Sequence, residues 1–193
     1  MQTLPAGVEL RPLDRHADDR GSFLEMYRVS WFQDRSPALQ WNLVRSRAGT
    51  LRGVHVHVVH SDFWLLVEGV ATVGLCDLRR HSPTFRLAVD LPVRAGDPVL
   101  VVIPRGVAHG FLFHQPSLHV YSVTSYWDPA DELGCRWDDP DLGIQWPAGA
   151  PPTLSDRDQA APSLAALMAT IEPQQPELCG PPSAPPGSGP TRR

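Results

Sequence analysis

The stretch Leu51-Arg52-Gly53-Val54-His55-Val56-His57-Val58-Val59-His60-Ser61-Asp62 decides the fold. Apolar and polar residues alternate along it, the pattern of a half-buried strand. Successive side chains of an extended chain point to opposite faces. His55 and His57 therefore share one face, and Val54, Val56 and Val58 the other. Two imidazoles on one face of a valine-packed strand are costly unless that face lines a polar cavity. The plainer reading, hydrogen-bonded surface histidines on an edge strand, fits the flanking apolar pattern less well. His60 falls outside the regular alternation and reads as a solvated loop histidine.

Working outward, short apolar or alternating runs continue from residue 20 to 127, punctuated by Gly, Pro, Asp and Ser. They predict strands over Gly21–Arg28, Leu39–Arg47, Leu51–Val59, Asp62–Glu68, Ala71–Leu78, Phe85–Leu91, Pro98–Ile103, Gly110–His114 and Leu118–Tyr126. That many short strands at this spacing specify an all-β fold, a double-sheet jelly roll that can enclose a small-ligand cavity. Residues 128–158, rich in Asp, Pro and Trp, read as ordered but irregular wrapping. Pro162–Glu172 has Pro at its start and apolar residues at helical spacing, which predicts one short C-terminal helix. Residues 1–172 then form one domain. Residues 173–193 hold seven prolines and three glycines and are expected to be a disordered tail.

Composition removes several function classes. All seventeen basic residues of this 193-residue chain are Arg, which excludes a Schiff-base or phosphate-loop lysine. A net charge of −4 offers no basic surface for nucleic acid. The apolar runs are too short to span a bilayer, and the N-terminus has no basic-then-apolar leader. Three widely spaced cysteines without a CxxC pair suit a reducing cytoplasm.

A second chemical cluster is Ile103-Pro104-Arg105-Gly106-Val107-Ala108-His109-Gly110-Phe111. With His55-x-His57, Asp62 and Gly69 it resembles the two signature motifs of the cupins. In metal-binding cupins, positions matching His55, His57, Asp62 and His109 hold the ion. Three imidazoles and a carboxylate suit divalent Fe, Mn, Ni or Zn.

Most of the chain, roughly residues 7–170, resembles one cupin family, the dTDP-4-dehydrorhamnose 3,5-epimerases. The resemblance rests on Asp19-Arg20-Gly21-x-Phe23-x-Glu25, Gln40-x-Asn42 and Gly49-Thr-Leu-Arg-Gly-Val-His55. It continues in the Asp77–Phe85 and Ile103–Phe111 stretches, Trp137–Pro147, and Leu154-Ser-Asp-Arg-Asp158. It implies a homodimer whose N-terminal strand crosses to the partner, and a nucleotide diphosphate sugar substrate. It implies His55 as the base that removes a proton alpha to the C4 ketone, with Asp158 as its partner. It also implies Arg52 near the sugar and diphosphate, and His109 in the same pocket. Arg20, Phe23 and Glu25 are implied to reach a neighbouring subunit's nucleotide, with Gln40 and Asn42 lining its pocket. No cofactor is required in that reading.

Two departures mark a divergent member. The family's enolate-steadying lysine falls on Asp62, and its tyrosine acid on Trp127, which cannot deliver a proton to carbon. Three readings follow: an epimerase or ketoisomerase of a 4-keto-6-deoxy sugar nucleotide, a metal-dependent enzyme using His55, His57, Asp62 and His109, or a sugar-nucleotide binder without catalysis. Retention of both His55 and Asp158 weighs against the last, since binding alone needs no such pair. His114 and His119, which flank Gln115-Pro116, carry no assignment.

Overall fold

Leu51–Val56 and Asp62–Glu68 become strands of two different sheets, so the histidine-rich stretch bridges the layers of a sandwich. The computed structural model describes residues 2–32 and 36–179. In chain order the strands are β1 (Glu9–Pro12), β2 (Arg15–Asp18), β3 (Gly21–Leu24), β4 (Gln40–Ser46), β5 (Leu51–Val56) and β6 (Asp62–Glu68). They continue with β7 (Val70–Asp77), β8 (Ala88–Arg94), β9 (Val99–Ile103), β10 (Val107–Phe113), β11 (Ser117–Val123) and β12 (Leu133–Gly134). One sheet runs β1-β9-β6-β11-β4, the other β12-β5-β10-β7-β8, and every ladder within them is antiparallel. This is the expected cupin jelly roll. β1 pairs with β9 of its own chain, while β2 and β3 form a separate exposed hairpin.

Apolar alternation on each strand feeds three packed layers. Trp64, Leu66, Val101 and Ile103 of the first sheet meet Val73, Leu75, Leu91 and Phe113 of the second. Behind the first sheet, Phe63, Leu65, Leu100 and Val102 pack on Leu13 and Phe32. Behind the second, Val54 and Val56 pack against helix α2 (Leu164–Ile171), which follows the short α1 (Asp156–Gln159). Leu164, Leu167, Met168 and Ile171 of α2 are buried at helical spacing, each contributing about 1.5–3 kcal/mol of burial. Ser163 caps the helix by accepting from Ala166 N–H.

Order persists past the predicted boundary at residue 172. Glu172–Gln174 forms a 3-10 turn and Gln175–Leu178 forms α3. Pro173 and Pro176 sit in first turns, where a missing N–H costs no internal hydrogen bond. Gln175 is buried, donating to Leu78 O at 3.0 Å and accepting from Arg80 N at 2.8 Å. The expected disordered tail therefore does not begin at 173; residues 180–193 lie outside the described residues.

β7 ends in a buried polar knot. Asp77 accepts from Arg79 Nε and Nη2 at 2.8 Å, and from Ser82 and Thr84 hydroxyls at 2.6 Å. Burial pushes its carboxyl up, but these donors outweigh it and hold the group below the usual carboxylate range. Among the described residues, no helix is long and apolar enough to cross a membrane.

Candidate active site

A cavity of about 400 Å³ opens between the sheets, lined by Arg52, His55 and His109 from the second sheet and by Asp62, Trp64, His119 and Tyr121 from the first. Arg52 and His55 are three residues apart, and strict alternation would send them to opposite faces. A β-bulge resolves this. His109 pairs with His55 but Phe111 pairs with Arg52, so β5 spends one extra residue at Gly53-Val54. Gly53 adopts φ +115°, and a Cβ there would stand 2.7 Å from the His109 carbonyl oxygen. Glycine is what allows the bulge to pack against β10.

On one side of the cavity, His55 Nε2 lies 2.8 Å from Asp158 Oδ1. Asp158 sits in α1, whose N-cap Ser155 accepts from its backbone N–H. Burial raises the Asp158 carboxyl, but the His55 contact and donors from Ser155 and Gly53 lower it further, so it stays ionised. Arg157 Nη2 also approaches His55 Nε2 at 2.8 Å, while its Nη1 donates to Glu132 at 2.8 Å. The two contacts compete for Nε2, since Asp158 can only accept and Arg157 can only donate; in the tautomer whose Nε2–H donates to Asp158, the Nδ1 lone pair is left to accept a proton.

On the other side, three imidazoles surround Asp62. His57 Nε2 and His109 Nε2 each stand 3.8 Å from Asp62 Oδ2, and His60 Nε2 stands 3.9 Å from Oδ1. All four residues are buried. His60, expected in solvent, is 2% exposed and stacks on His57 at 4.1 Å. The cause is Asp131, which accepts from Val58 N–H at 2.8 Å, folding the loop inward, and lies 2.9 Å from His60 Nδ1. Burial raises the Asp62 carboxyl, and burial together with the His57 and His55 charges lowers His109 far below the usual imidazole value.

The structure places the four residues of the metal set drawn from the sequence in two groups. His57, Asp62 and His109 converge, but His55 is turned to Asp158 and Arg157, and His60 packs beside His57 and Asp62. Arg52 lines the cavity and donates to Ser46 Oγ at 3.0 Å. The remaining predicted residues lie outside the cavity of their own chain. Arg20 pairs with Asp18 at 2.6 Å on the exposed hairpin, Phe23 is 65% exposed, and Glu25 bonds Arg28. Gln40 donates to Asn42 at 3.0 Å and accepts from Trp127 N–H at 2.9 Å. Trp127 is 52% exposed, because β11 ends at Val123 and the chain leaves the sheet before reaching it.

Sequence reading passed over His119, Tyr121, Glu132 and Arg157. His119 and Tyr121 alternate on β11, inside the predicted strand Leu118–Tyr126, so strand alternation is the signal that places both on the cavity face. Burial pushes His119 down to about 4 and raises the Tyr121 phenol, so both are neutral near pH 7.

A jelly-roll cavity holding an imidazole–carboxylate pair between two arginines defines a cupin equipped for proton abstraction from an anionic substrate. A family profile described as dTDP-4-dehydrorhamnose 3,5-epimerase matches residues 3–166. The chain belongs to that family. It is 35% identical over 155 residues to the dTDP-4-dehydrorhamnose 3,5-epimerase of Pseudomonas aeruginosa, covering 77% of this chain and 86% of that one. It is 34% identical over 158 residues to a dTDP-4-dehydro-6-deoxyglucose 3-epimerase of Streptomyces bikiniensis, covering 78% and 81%. The solved structure of a double mutant of ChmJ, a 3'-monoepimerase from Streptomyces bikiniensis in complex with dTDP, superposes with a TM-score of 0.80. That alignment has 30% identity and covers 92% of this chain and 98% of that one.

Proposed function

We propose that the protein epimerises a nucleotide-activated 4-keto-6-deoxy sugar, with dTDP as the nucleotide, at a carbon alpha to the ketone. The 2.8 Å contact of His55 with Asp158 carries the reading. His55 Nδ1 takes the proton from carbon, and the C–H electron pair moves into the C4 carbonyl to give an enolate. The imidazolium so formed is stabilised by the ionised Asp158 through Nε2–H. Return of a proton to the opposite face of the same carbon collapses the enolate and inverts the centre.

The donor for that return is Tyr121. It lies on the first sheet, across the cavity from His55 on the second, and among the described residues no other tyrosine lines this cavity. Its raised phenol keeps the proton until carbon takes it. Arg52 and Arg157 supply the guanidinium forks that suit diphosphate oxygens.

The working unit is a homodimer. The β2–β3 hairpin, with Arg20 and Phe23 exposed, reaches the nucleotide of a second copy, and Gln40 and Asn42 line that site. Trp41 and Leu43, exposed on edge strand β4, give the contact an apolar surface. Three free cysteines, two of them buried, fit a cytoplasmic setting. The test is solvent exchange: in heavy water the protein should place deuterium at C3 or C5 of a dTDP-4-keto-6-deoxyglucose-type substrate. Absence of exchange at both carbons, with the nucleotide sugar bound, would leave a binding protein instead.

A further inference from the structure

We propose that His57, His60, His109 and Asp62 form a binding site for one divalent first-row transition-metal ion in the buried wall of the cavity. Two of the three imidazoles are pinned through Nδ1. His57 Nδ1–H donates to Asp131 O at 2.9 Å, and His109 Nδ1–H donates to Val107 O at 3.1 Å. His60 Nδ1 lies 2.9 Å from Asp131 Oδ2. All three Nε2 atoms face one carboxylate, and those of His57 and His109, whose hydrogens sit on Nδ1, present lone pairs to it. Metal-ligating histidines are oriented in this way, with the far nitrogen held by a carbonyl or carboxylate. Asp131 does this for His57 through its carbonyl and sets its carboxylate beside His60, and is itself fixed by Val58 and Val59 N–H groups at 2.8 and 3.2 Å.

The separations of 3.8–3.9 Å from Nε2 to the Asp62 oxygens are too long for hydrogen bonds. Donor atoms sharing one ion at ~2.1 Å stand roughly 3.0–3.5 Å apart, so each imidazole must close on Asp62 by about half an ångström, and His109, which lies outside the tighter His57–His60–Asp62 cluster, must move further to complete the set. The donor atoms of His57, His60 and Asp62 already lie within 4.8 Å of one another. Asp62 is 5% exposed, and no hydrogen bond from the described residues reaches its carboxylate. Burying such a group without a partner is costly, and a cation relieves it. Three imidazoles with one carboxylate favour Fe, Mn, Co, Ni or Zn over the oxygen-seeking Mg and Ca. An ion here would bring positive charge to the cavity where Asp62 stands. Its use in steadying an enolate oxygen, unlike its binding, rests on the epimerase reading above.

The test uses the full chain, stripped by chelator and titrated with Co2+ while visible ligand-field absorption and protein-bound metal are both measured. One equivalent should bind, be displaced by Zn2+, and resist a large excess of Mg2+. His60→Gln and Asp62→Ala should each weaken binding by at least ~10-fold, whereas His55→Asn should leave the titration unchanged. Metal should raise the thermal midpoint of the wild type and of His55→Asn alone. If a ligand variant does not fold by near-ultraviolet circular dichroism, the wild-type and His55→Asn titrations still decide. No stoichiometric Co2+ in the wild type overturns the site, as does full binding by folded Asp62→Ala and His60→Gln, or loss of binding in His55→Asn. A wild type that binds Co2+ but exchanges no deuterium into the sugar refutes the epimerase reading and leaves the metal site standing. A wild type that exchanges deuterium into the sugar but takes up no Co2+ overturns the metal site and leaves the epimerase reading standing.

Discussion

Asp77 and Asp62 are both buried carboxylates, and they sit in opposite circumstances. Asp77, at the end of β7, is wrapped by Arg79, Ser82 and Thr84 and held below the usual carboxylate range. Asp62, at the start of β6, faces three imidazoles beyond hydrogen-bond reach and is pushed above that range by burial. The satisfied group ties the N-terminus to the sheet, since Arg79 also donates to Ala6 O at 2.6 Å. The unsatisfied one lines the cavity. A buried polar group whose donors are complete belongs to the scaffold, and one whose neighbours stand back is poised to receive something.

The comparison breaks most visibly if function does not follow the cavity. His55→Asn should lower turnover by ~10²–10⁴-fold while dTDP affinity, measured by calorimetry, changes little. Comparable losses of both would mean that His55 serves binding instead of proton transfer. Next in size, Asp77→Asn should destabilise the fold by about 3 kcal/mol, because Arg79 is left buried with a weakened partner. For a chain of this length that lowers the thermal midpoint by roughly 6–12 °C, with exchange activity per folded molecule preserved.

The pH dependence of that stability has a definite sign. The folded pKa of Asp77 lies below its unfolded value, so its contribution is present above about pH 4 and fades as pH falls through the folded pKa. The wild type should therefore lose stability below about pH 4 more steeply than Asp77→Asn does, in urea titrations run at several pH values.

Tyr121→Phe sharpens the cavity side. Loss of the proton donor should slow product formation by ~10²-fold, while deuterium still washes into recovered substrate through the intact base. Equal loss of wash-in and product would assign the phenol to positioning. The smallest effect is expected at Asp62 in metal-free protein. Asp62→Asn should shift stability by less than ~1 kcal/mol or raise it, since the amide removes an unpaired buried charge. A cost matching that of Asp77→Asn would erase the distinction between the two carboxylates.

The fold was legible because its periods are strong. Asp62–Glu68 was read to the residue, and the spacing of Leu164, Leu167, Met168 and Ile171 announced the C-terminal helix. Ends were harder: Leu118–Tyr126 stops at Val123, and β1 and β2 are too short and too polar to stand out. The His55–Asp158 pair followed from resemblance, and no local pattern joins residues 103 positions apart.

By itself the sequence determined the alternation of the strands and the absence of lysine, since both are local properties, while the grouping of imidazoles with Asp62 came from the resemblance to cupin motifs. Only the tertiary structure decided which histidine serves which carboxylate. The bulge at Gly53 reverses the parity between Arg52 and His55, a change that a strand pattern with period two cannot register. Asp131, arriving from a segment with no regular period, pulls His60 out of solvent and pins His57. Those contacts depend on where distant backbone comes to rest, and that is set by how the two sheets pack.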